Sequence, residues 1–302
     1  MTLTELRYLV ALAQTGHFGK AAETCHVSQP TLSIALKKLE DELGVALIER
    51  TKNKVLTTAV GERIVAQAQQ VLAQAHVIEE IASAGKNSLT SPLRLGAIFT
   101  IGPYLFPHLL PELNRLAPDM PLVLEENYTA ILRRKLVNAE LDAILIALPF
   151  NESDVVTRKL YDEPFVVLMP RDHPWAEHKA IDPADLVNDS VLLLGEGHCF
   201  RDQVLGACPG LRERMQEDDY PIAATANTSL DTLKHMVASG LGITVLPMSA
   251  TGLSTFSQQH LIIKPFTSDG PRRTVALAWR ASFPRFEAID VVTKAITQCR
   301  VM

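Results

Sequence analysis

Over the first sixty positions of the 302-residue chain, apolar residues recur at helical spacing. Leu3, Leu6, Leu9, Val10 and Ala13 share one face, Gly16 and His17 interrupt it, and Phe18 to Thr24 resume it as a short second helix. A tight turn is expected at Cys25-His26-Val27. Ser28 then offers an N-cap, and Pro30 falls in the first turn, where its missing N–H costs nothing. Leu32, Leu36, Leu39 and Leu43 line a third helix, which Gly44 should end. Helix, short turn and capped helix in this order predict a helix-turn-helix.

The other face of the third helix carries Gln29, Thr31, Ser33, Ile34, Lys37 and Lys38, with Ser28 and Pro30 at its start. Gln can bond adenine at two atoms, Ser and Thr can bond bases or phosphates, and Lys neutralises phosphate. Leu47 and Ile48 lead into a basic stretch holding Arg50, Lys52 and Lys54, read as a wing that reaches backbone or minor groove. Polar residues on a helix are often only its solvated face; cap, turn and wing together favour DNA.

From residue 61 to about 86, Ile64, Ala68, Val71, Ala75, Ile78 and Ala82 alternate four and three apart, the spacing of a coiled-coil seam. This predicts a linker helix that pairs with a second copy of the chain, followed by a flexible connector from Gly85 to Pro92. Beyond Pro92, strand and helix patterns alternate. Strands are expected at 93–98, 122–125, 142–148, 165–169, 191–194, 243–246 and 273–279, and helices at 103–116, 131–139, 229–239 and 286–298. The class is an α/β body, plausibly of two lobes around a cleft, with the second unit starting near Glu163-Pro164.

Composition narrows the function. No apolar run approaches the ~18 residues of a membrane span, and the N-terminus lacks the basic, apolar and small-residue regions of a signal peptide. The expectation is therefore a cytoplasmic chain, where Cys25, Cys199, Cys208 and Cys299 stay reduced and any disulfide is transient. A net charge of −5 gives no global argument for nucleic acid, so DNA contact rests on the local clusters.

The candidate chemistry lies in Gly197-His198-Cys199-Phe200-Arg201-Asp202-Gln203 and Cys208. Cys199 stands between His198 and Arg201, and nearby positive groups favour the reactive thiolate. If the intervening segment is helical, the two Cα atoms lie ~13 Å apart at ~1.5 Å rise per residue, against the ~7 Å limit for a disulfide. Bridging would then refold the segment, which is the outline of a switch. Two other readings stay open: unrelated core cysteines, and a zinc site, which the spacing does not favour. No metal or cofactor is expected.

The first sixty residues resemble the winged helix-turn-helix of LysR-type transcriptional regulators, in Phe18 to Ala22, Ser28-Gln29-Pro30-Thr31-Leu32-Ser33, Leu39 to Gly44 and Leu47 to Arg50. The whole chain is similar to the peroxide-sensing branch of that family, notably in Gly102-Pro103-Tyr104-Leu105, Asp172-His173-Pro174-Trp175-Ala176 and Gly197-His198-Cys199. The resemblance implies a winged helix-turn-helix (1–60), a linker and dimerisation helix (61–88), and a regulatory region resembling type 2 periplasmic binding proteins. Its lobe I would comprise 92–163 and 269–302, and its lobe II, with the redox cysteines, 164–268. It implies Cys199 as the thiol oxidised by hydrogen peroxide, Cys208 as the resolving thiol, and Thr100, Thr129 and His198 as the peroxide pocket. It implies as partners an operator DNA, further copies of the chain up to a tetramer, RNA polymerase, and a thiol reductant such as glutaredoxin or thioredoxin. Asn53 stands where a wing arginine is usual. The competing functions are a LysR-type regulator with a small organic effector in the cleft, and a thiol peroxidase, which would leave the DNA-binding unit unexplained.

Overall fold

A computed structural model of the chain describes residues 1–50, 55–84, 89–214, 228–252, 259–267 and 270–299. Lys52 and Lys54 of the expected wing, and Gly85 of the expected connector, lie outside the described residues, as does the side chain of Arg50. The chain divides into two compact units, residues 1–86 and, in the main, 87–302.

In the first unit, α1 (Leu3–Thr15) opens with a reciprocal capping box between Thr2 and Glu5 and ends at Gly16, whose φ of 60° is left-handed. The interruption at His17 is itself a cap: its Nδ1 accepts from the Gly19 and Lys20 amides at 3.0 and 3.3 Å and starts α2 (Phe18–Thr24). Ser28 caps α3 (Gln29–Leu43) by accepting from the Thr31 amide, and Gly44 closes it at φ 68°. Leu9, Leu12, Leu32, Leu36, Leu39 and Leu47 pack the three helices together. β1 (Ile48–Arg50) and β2 (Val55–Thr57) pair antiparallel as the wing. Glu40 Oε1 accepts from the Leu47 and Ile48 amides at 2.7 and 3.1 Å, so the wing is fixed to the third helix. The linker, α4 (Ala59–Ala84), starts against the wing, and a Cβ at Gly61 would stand 2.2 Å from the Leu47 carbonyl oxygen. Of its predicted seam, Ala68 is buried, while Val71 and Ile78 are 45% and 69% exposed.

The second unit is built in the order β3 (Leu93–Ile98), α5 (Gly102–Leu116), β4 (Leu122–Asn127), α6 (Thr129–Val137), β5 (Ala143–Ala147) and β6 (Val155–Pro170). It continues with β7 (Val191–Leu192), α7 (Cys199–Ala207), α8 (Pro209–Arg214), α9 (Leu230–Ala238), β8 (Ile243–Pro247), β9 (Leu261–Pro265), β10 (Arg272–Arg280) and α10 (Phe286–Gln298). The eight strands form one curled mixed sheet in the order β4-β3-β5-β10-β6-β8-β7, with β9 also on β6. β6 is the spine of the unit. Val155 to Pro164 pair with β10, and Phe165 onward pairs with β8 and β9. Two hydrophobic cores result, one from residues 93–147 and 275–296, the other from 165–266. This is the two-lobed α/β region the pattern predicted.

Two differences from the sequence pattern have physical reasons. β6 begins at Val155, well before the expected Phe165, because Thr157 to Glu163 are mostly polar and charged residues that read as surface and become strand by pairing with β10. β9 was not anticipated: Leu261-Ile262-Ile263 is too short an apolar run to declare itself, and becomes a strand by pairing with β6.

Candidate functional site

β3 and β4 are parallel neighbours, so the chain leaves both at the same edge of the sheet. The loop after β3 carries Phe99 and Thr100 into α5, and Asn127 and Tyr128 lead into α6 at Thr129. α7 begins at the same place, with His198 as N-cap and Cys199 as first residue. Together Ile98, Phe99, Thr100, Asn127, Tyr128, Thr129, Gly197, His198 and Cys199 line a cavity of about 10 Å³, at the threshold for one water-sized molecule. Three helices start at or beside its wall, and each presents the positive end of its dipole. The place outside the carboxyl ends of parallel strands is where open α/β sheets hold ligands.

The polar groups here are unevenly partnered. Arg273 donates to Thr100 Oγ1 and to the Thr100 carbonyl, both at 2.8 Å, which leaves the Thr100 hydroxyl hydrogen to donate elsewhere. Glu163, wholly buried, takes the Nε of Arg273 at 2.7 Å and the Ser249 amide at 2.8 Å, so the guanidinium is compensated and fixed. Thr129 Oγ1 and His198 Nε2 are buried without a well-formed hydrogen bond among the described residues. Buried polar atoms are rarely left so, and two beside one thiol make a place for a small polar guest.

Cys199 and Cys208 are free thiols at the two ends of α7. The helix expected as a condition of the switch is present, and its rise puts the Cα atoms ~13 Å apart. Cys208 is 4% exposed and belongs to the second core with Phe200, Val204 and Leu205; Cys199 packs against the first.

From the sequence, His198, Arg201 or a helix N-terminus has the task of favouring the thiolate or donating to the departing oxygen. In the fold, burial pushes the Cys199 thiol up, and Thr129 and the charge of Arg273 only partly pull it back. Burial also lowers the His198 pKa, so its imidazole is neutral near pH 7. Arg201 turns Nη1 to the Leu194 carbonyl at 3.1 Å. Burial pushes Cys208 up to about 11. Arg273, which sequence reasoning missed, is a buried cation whose charge favours the thiolate of Cys199. Nothing in Arg272-Arg273 distinguishes the buried second arginine from the exposed first until β10 alternates their sides.

On α3, Ser28, Gln29, Pro30, Thr31, Lys37 and Lys38 are exposed, Ser33 is half-buried, and Ile34 is 70% exposed. Pro30, Ser33, Ile34 and Lys37 form one stripe at helical spacing. Ser28 and Thr31 hydroxyls bond each other at 2.8 Å. Lys38 differs from Lys37: it pairs with the buried Glu5 at 3.2 Å and holds that carboxyl below its usual range.

A winged helix-turn-helix joined to a two-lobed α/β region with a thiol site defines a bacterial regulator class. Residues 3–62 match the bacterial regulatory helix-turn-helix protein, lysR family, and residues 86–298 the LysR substrate binding domain. The chain belongs to the LysR family. It is 40% identical over 296 residues, 98% of this chain and 95% of the relative, to the DNA-binding transcriptional dual regulator OxyR of Escherichia coli K12. Full-length OxyR from Pseudomonas aeruginosa, in a variant form, superposes with a TM-score of 0.78 at 59% identity, over 100% of this chain and 96% of that one. An H2O2-bound mutant of Corynebacterium glutamicum OxyR matches with a TM-score of 0.62 at 33% identity, over 98% of this chain and 92% of that one.

Proposed function

We propose that this protein is a DNA-binding transcriptional regulator that senses hydrogen peroxide by oxidation of Cys199 and disulfide formation with Cys208. The observation that carries the reading is the pair of buried atoms without a well-formed hydrogen bond, Thr129 Oγ1 and His198 Nε2, around a thiol at a helix N-terminus. The Cys199 sulfur attacks one peroxide oxygen; the O–O bond breaks, an S–O bond forms, and the thiol proton leaves with the second oxygen as water. Thr100 and Thr129 hydroxyls hold the peroxide, and neutral His198 and the helix dipoles stabilise the departing oxygen. The Cys208 thiol then displaces water from the sulfenic acid to give the disulfide. Because that thiol is buried and protonated, resolution waits until α7 opens.

The remaining roles belong to the same reading. Gln29, Thr31 and Ser33 of α3 contact operator bases, Lys37, Arg50, Lys52 and Lys54 contact its backbone, and α4 pairs two copies, with a tetramer as the larger assembly. The protein works in the cytoplasm, activates transcription through RNA polymerase, and is reset by a glutaredoxin- or thioredoxin-type reductant. The cavity of about 10 Å³ beside Cys199 does not take an organic effector, whose sites occupy roughly 300–1,000 Å³. Peroxidase turnover is disfavoured by burial of the resolving thiol.

Thiol trapping after one equivalent of hydrogen peroxide tests the reading. The wild type should give a Cys199–Cys208 bridge and a changed DNA footprint, and Cys208→Ser a sulfenic acid at Cys199. A Cys199→Ser protein whose footprint still shifts with peroxide would overturn it.

A further inference from the structure

Three aromatic rings close over the cavity at Cys199. Tyr128 stands edge-on to His198 with ring centroids 4.8 Å apart, and Phe99 stands edge-on to Tyr128 at 5.2 Å and tilted to His198 at 6.0 Å. They come from three separate connections, after β3, before α6 and before α7, so the cluster exists only in the folded unit. Gly197 lets the cluster close. Its φ is +90°, and a Cβ there would stand 3.3 Å from Tyr128 Cδ1, so the tyrosine ring lies against bare backbone.

We infer that Phe99, Tyr128 and His198 form a size gate that determines which oxidant reaches Cys199, admitting hydrogen peroxide and excluding alkyl hydroperoxides. The inference rests on the reading of Cys199 as the oxidised thiol. In either reaction sulfur attacks the O–H oxygen, the O–O bond breaks, and the thiol proton ends on the second oxygen: Cys–SH + R–O–O–H gives Cys–SOH + R–OH. For hydrogen peroxide R is a hydrogen, which suits a cavity of about 10 Å³. For tert-butyl hydroperoxide R carries four carbons on the leaving oxygen, and these must displace a ring. Rings locked to each other by edge-to-face contact, and to Gly197 by close approach, resist that displacement. Tyr128 is the residue whose removal opens most space, since it touches both other rings and Gly197.

The test measures Cys199 oxidation by mass spectrometry in the full-length reduced protein, with hydrogen peroxide and with tert-butyl hydroperoxide, and reads the ratio of the two rates. Tyr128→Ala should raise the tert-butyl to hydrogen peroxide ratio about tenfold or more, in the range a few methylene groups command in a closed pocket. Phe99→Ala, on another connection, should move it the same way, and Tyr128→Phe should restore the wild-type ratio. A purely structural role would slow both oxidants alike and leave the ratio constant, which would overturn the gate. So would a wild-type protein that consumes both oxidants at equal rates. Failure of hydrogen peroxide itself to oxidise Cys199 would overturn the sensing reading, a different result from a constant ratio.

Discussion

Cys199 is the first residue of α7 and Cys208 its C-cap, and the two are packed into different hydrophobic cores, Cys199 against that of residues 93–147 and 275–296 and Cys208 within that of 165–266. No rotation of side chains joins them. A bridge between them requires α7 to unwind, and the prediction is that oxidation strips hydrogen-exchange protection from 199–208 while leaving Leu9, Leu32 and Leu39 of the helix-turn-helix core protected. Unaltered exchange at α7 with loss in the N-terminal unit would refute this path.

The same packing sets the redox poise. Unwinding α7 withdraws Phe200, Val204 and Leu205 from the core, at roughly 1.5–3 kcal/mol for each side chain fully exposed. The disulfide form is thus strained and should be more oxidising than structural disulfides, which lie below about −300 mV. Equilibration with defined glutathione mixtures measures it, and Val204→Ala, which lightens the cost of leaving the core, should make the bridge harder to reduce.

The pH dependence follows from burial at both thiols. Burial raises Cys199 above its ordinary value, so the thiolate is a minority at neutral pH and the sulfenylation rate should climb steadily with pH through and beyond the usual thiol range. Cys208 is raised from 9.0 to about 11, so its burial stabilises the reduced fold fully below about pH 9 and loses that contribution as pH rises towards 11. Alkaline pH should therefore loosen α7, and Cys208→Ala should remove that slope. A rate maximum at acidic pH would contradict the raised Cys199.

On DNA, Gln29→Ala should reduce discrimination among operator sequences by ~1–3 kcal/mol. Lys37→Ala should weaken all sequences alike and flatten the salt dependence by about one unit of slope. Lys38→Ala should flatten it less, since Lys38 is already paired with Glu5. Titrations at several salt concentrations separate the three.

Along α4, Val71→Asp should dissociate a dimer built on the exposed Val71 and Ile78, because two carboxylates would meet across the seam. Sedimentation showing an unchanged oligomer would move the interface off this helix.

Local signals were enough to define the helix-turn-helix. Ser28 and Gly44 mark the ends of α3, Gly16 ends α1, and Leu32, Leu36 and Leu39 point inward, since caps and a 3.6-residue period act within a few residues of themselves. The cysteine spacing, once the segment was taken as helical, likewise carried its consequence. What the linear chain could not express was the environment of the thiol. Neighbours in sequence suggested that His198 and Arg201 charge the site, yet the fold buries His198 neutral, turns Arg201 to Leu194 and brings Arg273 across from β10. Thr100 and Thr129 entered only through family resemblance, because a threonine at a strand end looks like any cap until parallel strands deliver both to one cavity. The sequence by itself determined the helix-turn-helix, the α/β alternation and the thiols; only tertiary structure decided where β6 begins, that β9 forms, which charges those thiols meet and what reaches them, because strand pairing, desolvation and electrostatic interaction depend on distance in space and not on separation along the chain.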